Sequence, residues 1–342
     1  MKRIIPLCLA LVMTVGLLTG CGKQNEPAAS DETRLRVVTT IFPEYDWVRE
    51  ILGDKADNAE VTMLLDNGVD LHSYQPTADD IVKISECDLF IYVGGESDDW
   101  VDDALKNAAN KNRKVINLLE ALGERVKTEE AVEGMQEEEH DHDHDHEDTD
   151  EHDDAKEHDN EEEAEYDEHV WLSLKNAQTL CSAISSVLQQ IDPDNKDTYA
   201  ANASAYIKKL SALDADYQAA VNAAACKTVL FGDRFPFRYL AEDYGLRYYA
   251  AFAGCSAESE ASFETVSFLA GKVDELNLPC VLTIEGVQHK IAETIVRNTA
   301  AKNQKVLTMD SMQSTTSKDA ANGTTYLSVM ERNLSVLKEA LG

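Results

Sequence analysis

Residues 192–224 read DPDNKDTYAANASAYIKKLSALDADYQAAVNAA. Tyr199, Ala203, Tyr206, Leu210, Leu213, Tyr217 and Val221 recur there at steps of three or four, with no Gly or Pro after Pro193. That spacing is one face of an α-helix, and Asp192-Pro193-Asp194 is a start signal. The predicted helix runs from Asp194 to about Ala224. At ~1.5 Å per residue it spans roughly 45 Å, long enough to lie along two lobes as a spine.

The segments on either side repeat one rhythm. Before the helix, Arg36-Val37-Val38-Thr39-Thr40, Val61 to Leu65, Leu89 to Val93 and Val115-Ile116-Asn117 are short β-branched runs, each followed by a helical pattern or a loop. After it, Thr228 to Phe231, Tyr248 to Phe252, Val281 to Ile284 and Val306-Leu307-Thr308 read the same way. Phe263, Val266, Leu269, Val273 and Leu276 keep helical spacing behind an N-cap residue, Ser262. The fold class is therefore α/β: two lobes, each a small parallel sheet with flanking helices, joined by the spine helix. Residues 34–190 make the first lobe, 191–225 the linking helix and 226–342 the second lobe.

The first residues set the compartment. Met1-Lys2-Arg3 is basic, Ile4 to Leu18 is apolar, and Leu18-Thr19-Gly20-Cys21 ends the stretch with small residues before a cysteine. Fifteen apolar residues fall short of the roughly twenty that a membrane-spanning helix needs. The pattern is a bacterial lipoprotein signal over 1–20, with Cys21 as the lipidated residue and 21–33 as a polar tether. The expected location is extracytoplasmic, anchored to the cell membrane by acyl chains.

Between Glu129 and Glu168 the chain holds 23 acidic residues, one base (Lys156) and six of the nine histidines. So charged a tract cannot bury enough apolar surface to order itself, so a disordered insert over 129–166 is expected. His140, His142, His144 and His146 alternate with acids, and His152 and His158 follow. Imidazole and carboxylate are the usual non-thiol ligands of zinc and its neighbours, so these six read as auxiliary metal-capture residues. The tract supplies most of the formal charge of −33. Without a basic face there is nothing to neutralise phosphates, and nucleic-acid binding is excluded.

Specific metal ligands are sought at the carboxyl ends of the strands, where loops and helix N-termini converge in an open parallel sheet. His72 lies in the loop after the second strand, Asp233 follows Thr228–Phe231, and Asp310 follows Val306–Thr308. His169 stands where the acidic tract rejoins ordered structure. Five cysteines remain beyond Cys21: Cys87, Cys181, Cys226, Cys255 and Cys280. One disulfide among them is compatible with an extracytoplasmic site, but the spacings do not identify it. Cys255 has no partner residue near it in sequence and is not read as a ligand.

Gly68 to Thr77, Asp88 to Gly94, Glu168 to Ser173 and Tyr239 to Leu246 resemble the zinc- and manganese-binding lipoproteins of bacterial ABC importers, the cluster A-I solute-binding family. The resemblance covers nearly the whole chain past the signal. It implies a divalent cation held between two lobes and delivered to a membrane permease served by a cytoplasmic ATPase. The family ligands map to His72, His169 and Asp310. The third ligand departs from the family pattern: zinc-binding members carry a histidine and manganese-binding members a glutamate where this chain reads Phe231-Gly232-Asp233-Arg234, and Asp233 is the expected substitute. The His-rich insert resembles that of zinc-uptake members, so Zn2+ is the expected cargo and Mn2+ the alternative.

Other classes are weaker. A surface metal buffer or adhesin would share the anchor and the insert. A zinc hydrolase would need an open metal position and a general base, and the chain holds no HExxH, nucleophile elbow or phosphate loop. No enzymatic activity is expected. Imidazole ligation predicts that metal affinity falls below roughly pH 6.5.

Overall fold

In the computed structural model, residues 34–106, 108–136, 165–256, 260–286 and 289–342 are described. Cys21 and the six histidines of the acidic tract lie outside them. The first half carries β1 (Leu35–Thr39), α1 (Phe42–Leu52), β2 (Ala59–Met63), α2 (Ala78–Glu86), β3 (Leu89–Tyr92), α3 (Trp100–Leu105), β4 (Lys114–Asn117), α4 (Leu118–Leu122) and α5 (Leu174–Ile191). Then come α6 (Lys196–Ala223), β5 (Thr228–Arg234), α7 (Arg238–Tyr244), β6 (Arg247–Phe252), α8 (Phe263–Leu276), β7 (Cys280–Thr283), α9 (Lys290–Asn298), β8 (Lys305–Thr308), α10 (Ser317–Ala321) and α11 (Tyr326–Leu341). All eight predicted strands are present, shifted by at most a few residues.

The strands form two four-stranded parallel sheets with the same topology, β2-β1-β3-β4 and β6-β5-β7-β8. Parallel strands need covered faces, and their sequences read accordingly as continuous apolar runs. Phe90, Ile91, Val281 and Leu282 are at most 1% exposed. In each sheet the strands are added first to one side and then to the other of the first strand of that half, so the strand order reverses between β1 and β3 and between β5 and β7. At such a switch point the loops part and leave a crevice.

The predicted spine is α6, which buries the seven residues its spacing singled out, Tyr199 through Val221. It packs on α1 and α5 at one end and on α7 and α11 further along. Asn202 donates to the Ile51 carbonyl at 3.0 Å, and Tyr217 to the Met330 carbonyl at 2.6 Å. The last helix adds a second tie: the Tyr326 N–H donates to Asp46 at 2.9 Å, and its ring meets Trp47 edge-on at 5.2 Å. Both sheets thus belong to one compact unit, Leu35–Gly342.

The expected disorder over 129–166 fails at both ends. Thr128 pairs antiparallel with Tyr166, Glu129 N–H donates to Glu165 O at 2.8 Å, and Gln136 N–H to Ala251 O at 2.9 Å. The two flanks pair with each other, and Gln136 with β6, through backbone hydrogen bonds that acidic composition alone does not reveal. The five cysteines among the described residues, Cys87, Cys181, Cys226, Cys255 and Cys280, are free thiols, so no disulfide joins them.

Candidate metal centre

His169 is fully buried, in the turn that opens Val170–Leu172. Asp167 Oδ1 accepts both its backbone N–H, at 2.9 Å, and its ring Nδ1–H, at 3.0 Å. A carboxylate on Nδ1 assigns the proton to that nitrogen and leaves Nε2 with its lone pair. Trp171, two residues on, donates through Nε1 to the Ser311 carbonyl at 2.9 Å and so ties this turn to the loop after β8.

His72 arrives from the loop after β2. Asp70 caps its backbone N–H at 3.1 Å, and its Nδ1 lies 2.8 Å from Ser97 Oγ and 3.4 Å from Glu168 Oε2. Glu168 in turn accepts the Ser97 N–H at 2.9 Å. This approach requires Gly95: its φ is +86°, and a Cβ there would stand 2.4 Å from Glu168 Oε1. Acceptors on the Nδ1 side leave the His72 Nε2 lone pair free as well.

The two Nε2 atoms face each other at 3.3 Å. Burial, and then the neighbouring His169, push the His72 imidazole down to about 3, so it stays neutral well below the pH 6.5 that unperturbed imidazole would set. Two unprotonated nitrogens held this close repel unless a cation lies between them. A tetrahedral zinc ion with bonds of about 2.05 Å has an N···N edge of about 3.3 Å.

Asp233 and Asp310 do not join this pair. Asp233 Oδ1 accepts the Arg234 N–H at 2.9 Å, and the carboxylate also faces the Ile284 N–H. Asp310 Oδ1 accepts the Met312 N–H at 2.9 Å, while Arg332 stands 3.7 Å from Oδ2. Burial raises both carboxyls, and one oxygen of each accepts a backbone N–H within two residues of it. Among the described residues, the one group of three or more His, Cys, Asp or Glu ligand atoms within 4.8 Å of one another is His72, His169 and Cys255.

Four further residues border the site, none of them read as a ligand from the sequence: Arg234, Gln313, Glu285 and Cys255. Arg234, not Asp233, reaches the Asp70 that caps His72: its Nη2 donates to Asp70 Oδ2 at 2.5 Å and its Nη1 to the Ser256 carbonyl at 3.4 Å. Gln313 borders His169. Its side-chain amide nitrogen lies 3.2 Å from His169 Nε2, where an N–H can donate to the lone pair. Glu285 places that glutamine, accepting the Ser311 N–H at 2.6 Å and the Gln313 N–H at 3.0 Å. Cys255 follows Gly254, where a Cβ would meet the His169 ring at 3.3 Å. Burial, then the Glu129 carboxylate, push its thiol well above the usual range, so without a cation it stays protonated. The sequence signal for these residues was position: each lies at a strand end or within five residues of one.

The centre opens on a cleft of about 830 Å³ lined by residues of both halves, including Asp70, His72, Arg234, Glu285 and Lys290. No helix among the described residues is long and apolar enough to cross a membrane.

The sequence profile described as "Zinc-uptake complex component A periplasmic" matches residues 37–340. The high-affinity zinc uptake system protein ZnuA of Bacillus subtilis is 31% identical over 95% of this chain and 94% of its own length. The zinc-binding lipoprotein AdcA of Streptococcus pneumoniae is also 31% identical, over 99% of this chain. The chain spans only 61% of AdcA's length. The Zn(II)-bound ZnuA-like domain of S. pneumoniae AdcA superposes with a TM-score of 0.67 at 28% identity, covering 90% of this chain and 99% of that one. With the profile matched almost from end to end and the two-sheet fold shared, the chain belongs to the family of zinc-uptake complex component A.

Proposed function

We propose that this protein is the extracytoplasmic solute-binding component of an ABC importer, capturing a divalent transition metal, zinc, between its two halves. The observation that carries this reading is the pair of Nε2 atoms 3.3 Å apart, each with its Nδ1 engaged by an acceptor. The arrangement prepays the cost of orienting two imidazoles toward one ion. The relatives named for zinc binding and zinc uptake support the same cargo. Membership in this family supports binding and release rather than catalysis. The partners in this reading are a membrane permease with its ATPase, and the anchor is an acylated Cys21. The His-rich tract serves as an auxiliary collector.

The reading is tested by titrating metal-free protein with zinc in the presence of a competing chelator. Tight one-to-one binding is expected in the wild type and is expected to disappear in both His72→Ala and His169→Ala. Retention of that stoichiometric site in both variants would sink the assignment.

A further inference from the structure

We propose that Cys255 is the third ligand of the cleft site and that its thiolate confines the cargo to borderline and soft cations, zinc above all, at the expense of manganese. This inference rests on the reading that His72 and His169 ligate the ion, and adds to it a donor and a selectivity.

Cys255 is not an isolated thiol. A ligand-atom set of Cys255 Sγ and one ring nitrogen from each histidine lies within a mutual separation of 4.8 Å. In a tetrahedral zinc site the N···S edge is about 3.6 Å, from bonds of about 2.05 Å to nitrogen and 2.3 Å to sulfur. The remaining gap is at most about 1.2 Å by that same edge, within reach of a χ1 adjustment or a small loop shift. By contrast, Asp233 and Asp310 already spend oxygens on backbone donors of their own loops.

The loop that carries the cysteine is held from three directions. Glu129 Oε1 accepts the Cys255 N–H at 2.8 Å, and Arg234 reaches the Ser256 carbonyl at 3.4 Å. Gly254 presses on the His169 ring, so the chain passes the imidazole at van der Waals distance just before the thiol. Glu129 is itself set by its backbone bond to Glu165 at 2.8 Å, at the root of the acidic tract. The segment that leads into the tract therefore also seats the thiol beside the histidines, and Glu129 acts as a positioning residue.

The chemistry follows from donor type. As the sulfur–metal bond forms, the thiol proton passes to solvent, and the cation's charge stabilises the thiolate that burial would otherwise disfavour. Two imidazoles and a thiolate form a soft donor set, suited to zinc and poorly matched to manganese, which prefers carboxylate, carbonyl and water oxygens. A protein that must take up zinc amid other divalent cations gains selectivity from that one sulfur.

The test uses the full chain with one equivalent of metal. Zinc-edge X-ray absorption of the wild type should show a sulfur scatterer at about 2.3 Å, and the Co(II)-loaded protein a thiolate-to-metal charge-transfer band; both should vanish in Cys255→Ser and Cys255→Ala. Zinc should shield Cys255, but not Cys226, from alkylation mapped by mass spectrometry. In chelator competition each variant should lose about tenfold or more in zinc affinity while manganese binding is unchanged or stronger, and Glu129→Ala should show a smaller loss with the sulfur signal broadened. The wild-type spectra need no variant, so misfolding cannot mask the answer. Absence of sulfur in the wild-type spectra, with unchanged zinc-over-manganese preference in the variants, overturns the thiolate proposal. If His72→Ala and His169→Ala still abolish binding in that case, the histidine site stands without Cys255; if they do not, the site assignment has failed first.

Discussion

Arg234 at the end of β5 donates to Asp70 at 2.5 Å, joining the second sheet to the loop that carries His72. Asp70 Oδ1 is 4.0 Å from His72 Nε2, so this ion pair borders the metal centre itself. The guanidinium repels a bound cation, and the carboxylate offsets it.

Removing one member of the pair should therefore move affinity in opposite directions. Asp70→Asn leaves a partly buried arginine unopposed beside the site and should weaken zinc binding by about tenfold or more. Arg234→Gln removes the repulsion and frees Asp70, and should tighten it. Calorimetric competition measures both. Weaker binding in Arg234→Gln would mean that the pair is needed to hold the halves together.

Asp167 sets which His169 nitrogen is available. Asp167→Ala deletes the acceptor at 3.0 Å from Nδ1 and lets the ring change tautomer or rotate. Loss of such an orienting partner lowers metal affinity about 10- to 100-fold. Nitrogen NMR of the imidazole should show the protonated position shifting from Nδ1 in the metal-free variant, and an unchanged tautomer would contradict the assigned role.

Stability should fall as pH rises through neutrality. Burial pushes Glu44 from 4.5 up to about 8, with the nearby Asp98 adding to the rise. Burial likewise lifts Asp46 and Asp98 to about 7. Each folded-state value lies above the unfolded one, so the protonated acid favours the fold. That contribution is complete below the unfolded values and is lost as pH climbs through about 7 to 8. Melting temperatures should decline from pH 5 to 8.5, and Glu44→Gln should flatten the decline. A level wild-type profile would refute the protonated state of Glu44.

Tyr326 links the start of α11 to the His169 turn, donating to the buried Trp171 carbonyl at 2.7 Å. Tyr326→Phe keeps the ring but leaves that carbonyl short of a partner, at a cost of about 1–3 kcal/mol. Chemical denaturation should show the loss in the midpoint at unchanged slope.

Deleting 137–164 should remove the weak, multiple zinc sites and leave the tight one. A longer deletion that begins at Glu129 also removes the tether of the Cys255 loop. If Cys255 ligates, the longer deletion alone should weaken the tight site, a difference that zinc titration of the two variants resolves.

The strands and the spine helix were legible because their signals are local. β-branched runs such as Leu89–Val93 and a repeat such as Tyr199 to Val221 carry their own period, and a parallel fold buries what the period marks. The flanks at 129–136 and 165–166 were misread because composition records charge and not the backbone pairing that overrides it.

For the candidate metal centre, the sequence by itself singled out the two histidines that the fold brings to 3.3 Å and the two parallel sheets around them. Tertiary structure alone decided the company they keep. His72 and His169 are separated by 97 positions, and Cys255 and Gln313 lie further still along the chain; no local period relates such residues. Asp233 and Arg234 both line the cleft, but it is Arg234 that pairs with Asp70 beside His72, at a strand end whose register is irregular between Phe231 and Arg234. A shift of one residue exchanges a carboxylate for a guanidinium, and only the packed strand end chooses between them.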